Sequence, residues 1–222
     1  MPLFDADEDF YSKSGGDEMR REAIIFLTGI FIAVAGFSGC ASQPKVTRTA
    51  VEKTIDLSGR WNDTDSRLVA EEMIKDCLDR PWFNTFHEKS NHEPVVIVGT
   101  VMNRSSEHIN AQLFIEDLEK NLLNSGKVIF VASHPERQEI REERNDQHTG
   151  ETERATVKPK GKETGADFML QGSINSVKDE IKGKYVILYQ VNLELINLTN
   201  NQKVWIGQKD IKKVVERPQV TF

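Results

Sequence analysis

Apolar residues recur along the chain with two periods, and the change of period marks its elements. Ala70, Met73, Ile74 and Cys77 fall at i, i+3, i+4 and i+7, the spacing of one buried helix face. Asp63, Thr64 or Asp65 can cap this helix, and Arg80-Pro81 ends it at about Asp79. Pro94 then introduces Val95-Val-Ile-Val-Gly-Thr-Val-Met102. This β-branched run predicts a central strand buried on both faces. Ala111, Phe114, Ile115, Leu118 and Leu122 return to helical spacing, and Ser125-Gly126 supplies a stop. Residues 127–132 form a short apolar run suited to a strand, and 135–147 a highly charged helix. Over 148–164 neither period holds. Pro159 and Gly161 oppose a helix there, which leaves a loop with at most one helical turn.

The C-terminal part alternates. Residues 167–177 predict a strand, 178–184 a turn around Gly183, and 185–197 a second strand. Tyr185, Ile187, Tyr189, Val191, Leu193 and Leu195 share one face of that second strand. After a polar turn at 198–202, residues 203–215 make a last strand whose Lys209, Lys212 and Lys213 suit an exposed edge. The order α-β-α-β-α-β-β-β predicts an α/β (α+β) fold. Helices would pack on a mixed sheet that ends in an antiparallel three-strand meander.

The N-terminal part has another character. Arg20-Arg21, an apolar stretch from Ala23 to Phe37 and then Ser38-Gly39-Cys40 follow the layout of a lipoprotein signal peptide. The apolar stretch is shorter than the about 20 residues of a membrane span. Cleavage is expected between Gly39 and Cys40, with Cys40 carrying an S-diacylglycerol and an N-acyl chain. Phe37 stands where Leu is usual in such a box. The acidic residues 1–18 precede a second methionine, Met19, and read as an over-long start. The expected organisation is therefore a start extension (1–18), a signal peptide (19–39), a lipidated Cys with a flexible tether (40–55) and one globular domain (56–222). Ala41 lacks the Asp that retains lipoproteins in the inner membrane, so the expected site is the outer membrane, facing the periplasm.

This organisation changes what the composition means. Residues 1–39 hold three of the 29 Lys and Arg and seven of the 35 Asp and Glu, so the mature chain has a net charge of −2 rather than −6. That balance gives no case for binding nucleic acid. With Cys40 acylated, Cys77 has no partner for a disulfide, and its place on a helical stripe suits a silent buried thiol.

The search for chemistry finds little. His87 and His92, with Glu88 and Glu93 beside them, read as loop histidines with no third metal ligand. His108, His134 and His148 stand isolated. Ser105-Ser106-Glu107-His108 fits capping of the following helix better than catalysis, because no Gly-x-Ser-x-Gly elbow accompanies it. Neither Gly165-Ala-Asp167 nor the run from Gly99 to Arg104 has phosphate-loop spacing. No enzyme, metal or cofactor is expected. Two segments carry a bland and a sharper reading. Residues 136–154 are a solvated helix face or a docking surface. Trp82 and Phe83 are a plug closing the core or an aromatic anchor of an interface. Trp61 and Trp205 read as core or half-buried strand residues.

Four segments in order carry a resemblance. They are Leu57-Ser-Gly-Arg-Trp-Asn-Asp-Thr-Asp-Ser-Arg67, Val95 to Ser105, Gly165-Ala-Asp-Phe-Met-Leu-Gln-Gly-Ser-Ile-Asn175 and Val204-Trp-Ile-Gly207. Together they resemble the outer-membrane lipoproteins that activate penicillin-binding proteins, the LpoB type, over about 55–215. The resemblance implies a fold like the N-terminal domain of TolB, with a four- or five-strand sheet flanked by helices. It implies a monomeric, non-enzymatic partner of a class A penicillin-binding protein, a regulator of peptidoglycan synthesis, and it marks no interface residue. A curli-secretion type of lipoprotein, which shares that fold, is the alternative. Its pores need long amphipathic strands, and the lysines near the C-terminus weigh against them.

Overall fold

The computed structural model describes residues 46–216. Its first helix, α1 (Asp63–Leu78), begins at Asn62. The Asn62 side chain accepts from the Asp65 N–H at 3.1 Å, and Asp65 accepts from the Asn62 N–H at 3.0 Å. This reciprocal capping box puts the cap one residue before the three expected candidates and gives Asp65 the complementary role. The predicted stripe of Ala70, Met73, Ile74 and Cys77 is buried. Burial pushes the Cys77 thiol up to about 12, so it stays protonated and unreactive.

Arg80-Pro81 does end α1, yet Pro81 also opens α2 (Pro81–Lys89). Proline is pre-set for the first helical turn, where its missing N–H is not needed. The described residues therefore hold one helix more than the pattern predicts. The remaining elements are β1 (Val95–Arg104), α3 (Ala111–Asn124), β2 (Ile129–Phe130), α4 (His134–Asp146), β3 (Phe168–Ile181), β4 (Lys184–Asn197) and β5 (Lys203–Glu216). Residues 147–167 contain no regular element, as expected.

The five strands lie in the order β2-β1-β3-β4-β5. β1 runs parallel to both neighbours, and β3, β4 and β5 form the predicted antiparallel meander. β4 alternates along its length, with the six residues from Tyr185 to Leu195 on the inner face no more than 7% exposed. Burying each such side chain is worth about 2 kcal/mol. β1 differs from expectation. Val95 to Val98 are buried, but beyond them only Val101 is. β2 pairs with Val95 and Val96 alone, and a bulge interrupts β1 between Val98 and Val101. β3 also outruns its predicted end. It pairs with β4 as far as Ile181, and the turn is only Lys182-Gly183, with Gly183 at φ 80°. Backbone pairing continues through the charged residues Lys178 to Glu180, which periodicity alone assigns to a turn.

One face of the sheet is covered by α1, packed near β5, and α3, packed near β1 and β2. Phe114, Leu118 and Leu122 of α3 are fully buried there. α4 buries none of its residues.

Candidate partner-binding surfaces

The polar groups that the fold does enclose serve to fix the start of the domain. Lys213 on β5 reaches back to Asp56 Oδ1 at 2.7 Å, Asp65 Oδ2 at 2.6 Å and the Arg60 carbonyl at 3.2 Å. Its side chain is 11% exposed and that of Asp65 10%. Burial alone would lower the pKa of this ammonium, but its hydrogen bonds and charge pairing with Asp56 and Asp65 leave it raised. Tyr185 donates to the Ser58 carbonyl. Glu107 accepts from the Tyr189 hydroxyl at 2.8 Å and from the Trp61 N–H at 3.3 Å. Burial and that carboxylate hold the Tyr189 hydroxyl well above the ordinary phenol range. The Trp61 ring meets Phe114 and Tyr189 edge-on, and its indole N–H donates to Ser66 at 2.8 Å. Residues 56–62 thus form a strap pinned to β4 and β5.

The residues singled out in the sequence are dispersed. Gly39 and Cys40 lie outside the described residues. His87 sits on α2 rather than in a loop, 3.2 Å from Glu93, while His92 contacts the Glu93 carbonyl at 2.8 Å. Among the described residues no group of three His, Cys, Asp or Glu side chains is placed to hold a metal ion. The 105–108 cluster does not cap α3, a task taken by Asn110. Ser105 instead bonds Asn103, and Glu107 turns inward to the strap. Trp82 is the core plug, packed at a tilt against Phe168 and donating to the Cys77 carbonyl at 2.7 Å. Trp205 is buried on β5, with its N–H on Asp76 at 2.9 Å, whereas Trp61 lies before α1 and in no strand. Sequence reading missed Lys213 and Glu107, whose partners lie far away along the chain.

What remains for a partner is surface. On the charged segment, Glu163 accepts from Arg141 at 2.7 Å and Arg144 at 2.9 Å, which clips the following loop to α4. These two guanidinium groups hold the Glu163 carboxyl down at about 2. The sheet face opposite α1 and α3 carries Gln171, Ser173 and Asn175 on β3 beside Gln190, Asn192 and Glu194 on β4. Val177, Ile206 and Val214 lie exposed toward its ends and margin. An amide-rich sheet with apolar margins can recognise another protein. It offers no nucleophile poised against a base.

The model of the family described as peptidoglycan-synthase activator LpoB matches residues 65–211. No curated protein sequence matches the chain. Similar solved structures include the LpoB C-terminal domain from Escherichia coli, at 18% identity and a TM-score of 0.40, covering 66% of this chain and 98% of that one. The corresponding Salmonella enterica domain has 16% identity and a TM-score of 0.38, with the same coverage. Lipoprotein GNA1162 from Neisseria meningitidis has 10% identity and a TM-score of 0.36, covering 55% of this chain and 83% of that one.

Proposed function

Because the chain belongs to the LpoB family of peptidoglycan-synthase activators, we propose that it binds a class A penicillin-binding protein and raises its rate of peptidoglycan synthesis. The family match across 65–211 carries this reading, and it does not favour the curli-secretion alternative. The domain works as a monomer by holding the synthase in the conformation it binds more tightly, since a ligand shifts an equilibrium only by its differential affinity. Its role is regulatory and not enzymatic.

The same reading includes the anchor. Signal peptidase removes the leader up to Gly39, Cys40 takes the lipid, residues 41–55 form the tether, and 56–222 act in the periplasm from the outer membrane. The support is the Phe37-Ser-Gly-Cys40 box with its basic and apolar run-in. Co-purification of the mature protein with the organism's class A synthases, followed by a glycan polymerisation assay, tests the function. Binding with a faster rate is expected. No binding and no rate change refutes it.

A further inference from the structure

The two edges of the sheet are finished differently. β5 forms one edge, and Lys209 and Lys212 along it make a poor template for a further strand. At the other edge β2 is only two residues long. The Val131 N–H still reaches the Val96 carbonyl at 3.2 Å. The next residue whose backbone faces that way is Val98, and no strand lies beside it. From Ile97 to Asn103, β1 has no Lys, Arg or Pro. It carries no charged or proline blocker there, its one irregularity being a bulge between Val98 and Val101, and its Ile, Val and Thr side chains favour pairing.

This edge opens into a cavity of about 720 Å³ between α3 and the start of α4. Arg137 Nε, on α4, is buried there and makes no hydrogen bond. It is the one such side-chain nitrogen or oxygen among the described residues. An unsatisfied buried donor is destabilising, and an incoming carbonyl oxygen would satisfy it. Glu119 of α3 and Glu136 of α4 also line the cavity. Burial raises the Glu119 carboxyl above its ordinary range, and the charges of Glu136 and Glu116 add to this. Because the cavity is lined by two carboxylates against the one guanidinium of Arg137, it favours a further cation. Ile115 and Met169 supply half-buried apolar wall.

We propose that the outer edge of β1 is a strand-docking site for an extended segment of the synthase. The segment pairs with β1 beyond Val96, gives a backbone carbonyl to Arg137, and places a lysine or arginine side chain against Glu119 and Glu136. Main-chain pairing supplies affinity and the charged cavity supplies register. The inference rests on the activator reading for the identity of its partner.

Hydrogen–deuterium exchange of the mature protein in detergent, with and without purified class A synthase, tests it. Docking slows exchange in peptides covering 97–104 by about tenfold or more and leaves 203–216 unchanged. Glu119→Lys weakens binding about tenfold. Synthase binding that leaves 97–104 unprotected overturns the docking mode while the activator reading survives. Absence of binding overturns both. Protection of 97–104 that appears without synthase and grows with protein concentration assigns the edge to a second copy, and also overturns the proposal.

Discussion

An ammonium enclosed by two carboxylates is stable only while all three charges are present. Lys213 meets Asp56 and Asp65 at 2.7 and 2.6 Å, and Lys213→Met leaves the nearly buried Asp65 carboxylate without its counter-charge. Removing one partner of a buried pair costs about 3 kcal/mol or more, so the urea midpoint of this variant falls with little change in slope. Gly59 completes the same strap. It has φ 70°, and a Cβ there would lie 2.3 Å from Val215 Cγ2. Gly59→Ala therefore costs about 1–3 kcal/mol in the same titration. The charge on Lys213 invites assignment to an exposed edge, and that expectation fails. Period-two parity holds the correcting signal, because Lys213 shares the inward face with Trp205 and Gly207. Parity can show which way a side chain points, but not that Asp56 and Asp65 wait there from far along the chain.

Elements held by apolar periodicity were legible, and so was the charged α4, expected over 135–147 and found over His134–Asp146. α1, α3 and β4 follow from their buried stripes, because each must hide one face. α2 was missed because Pro81 stops one helix and starts the next within a single residue. The brevity of β2 had no signal either, since 127–132 looks like a full strand while only Ile129 and Phe130 pair. α4 depends on charge. Arg141 and Arg144 hold Glu163 at about 2, below its ordinary 4.5. A depressed carboxyl stabilises the bound loop above its unfolded pKa and loses that stabilisation as pH falls through the folded one. The clip is thus whole above about pH 4.5 and released as pH drops toward about 2. Protection of the amides in 158–164, relative to their intrinsic exchange rate at each pH, should fall across that window, and Glu163→Gln should show the same low protection at neutral pH. Unchanged exchange in the variant would refute the clip.

At the scale of the whole molecule, the proposed leader and lipidated Cys40 would decide where the domain acts. A tether of about 15 residues after Cys40 would span at most about 50 Å when extended, and on the proposed reading that length sets the radius within which a synthase is met. Cys40→Ser is expected to leave the protein unprocessed or free in the periplasm and without palmitate label. Unchanged membrane fractionation and labelling in that variant would refute the anchor. The fold class and the family resemblance were readable because they rest on local patterns repeated in order. The candidate interface was not, because it is a gap between elements, formed where β2 stops short and α3 and α4 stand apart.

The strap has a mechanical consequence. In the proposed role, a domain tied to one membrane and gripping a partner would be pulled, with the pull entering at residues 56–62. There it meets Lys213 on β5 and Tyr185 and Tyr189 on β4 before it can reach α1. The strap behaves as a strain relief, sharing tension between two strands of one hairpin so that the first turn of α1 is not peeled open. Under force applied through the N-terminus, Lys213→Met should yield at lower load than the parent protein.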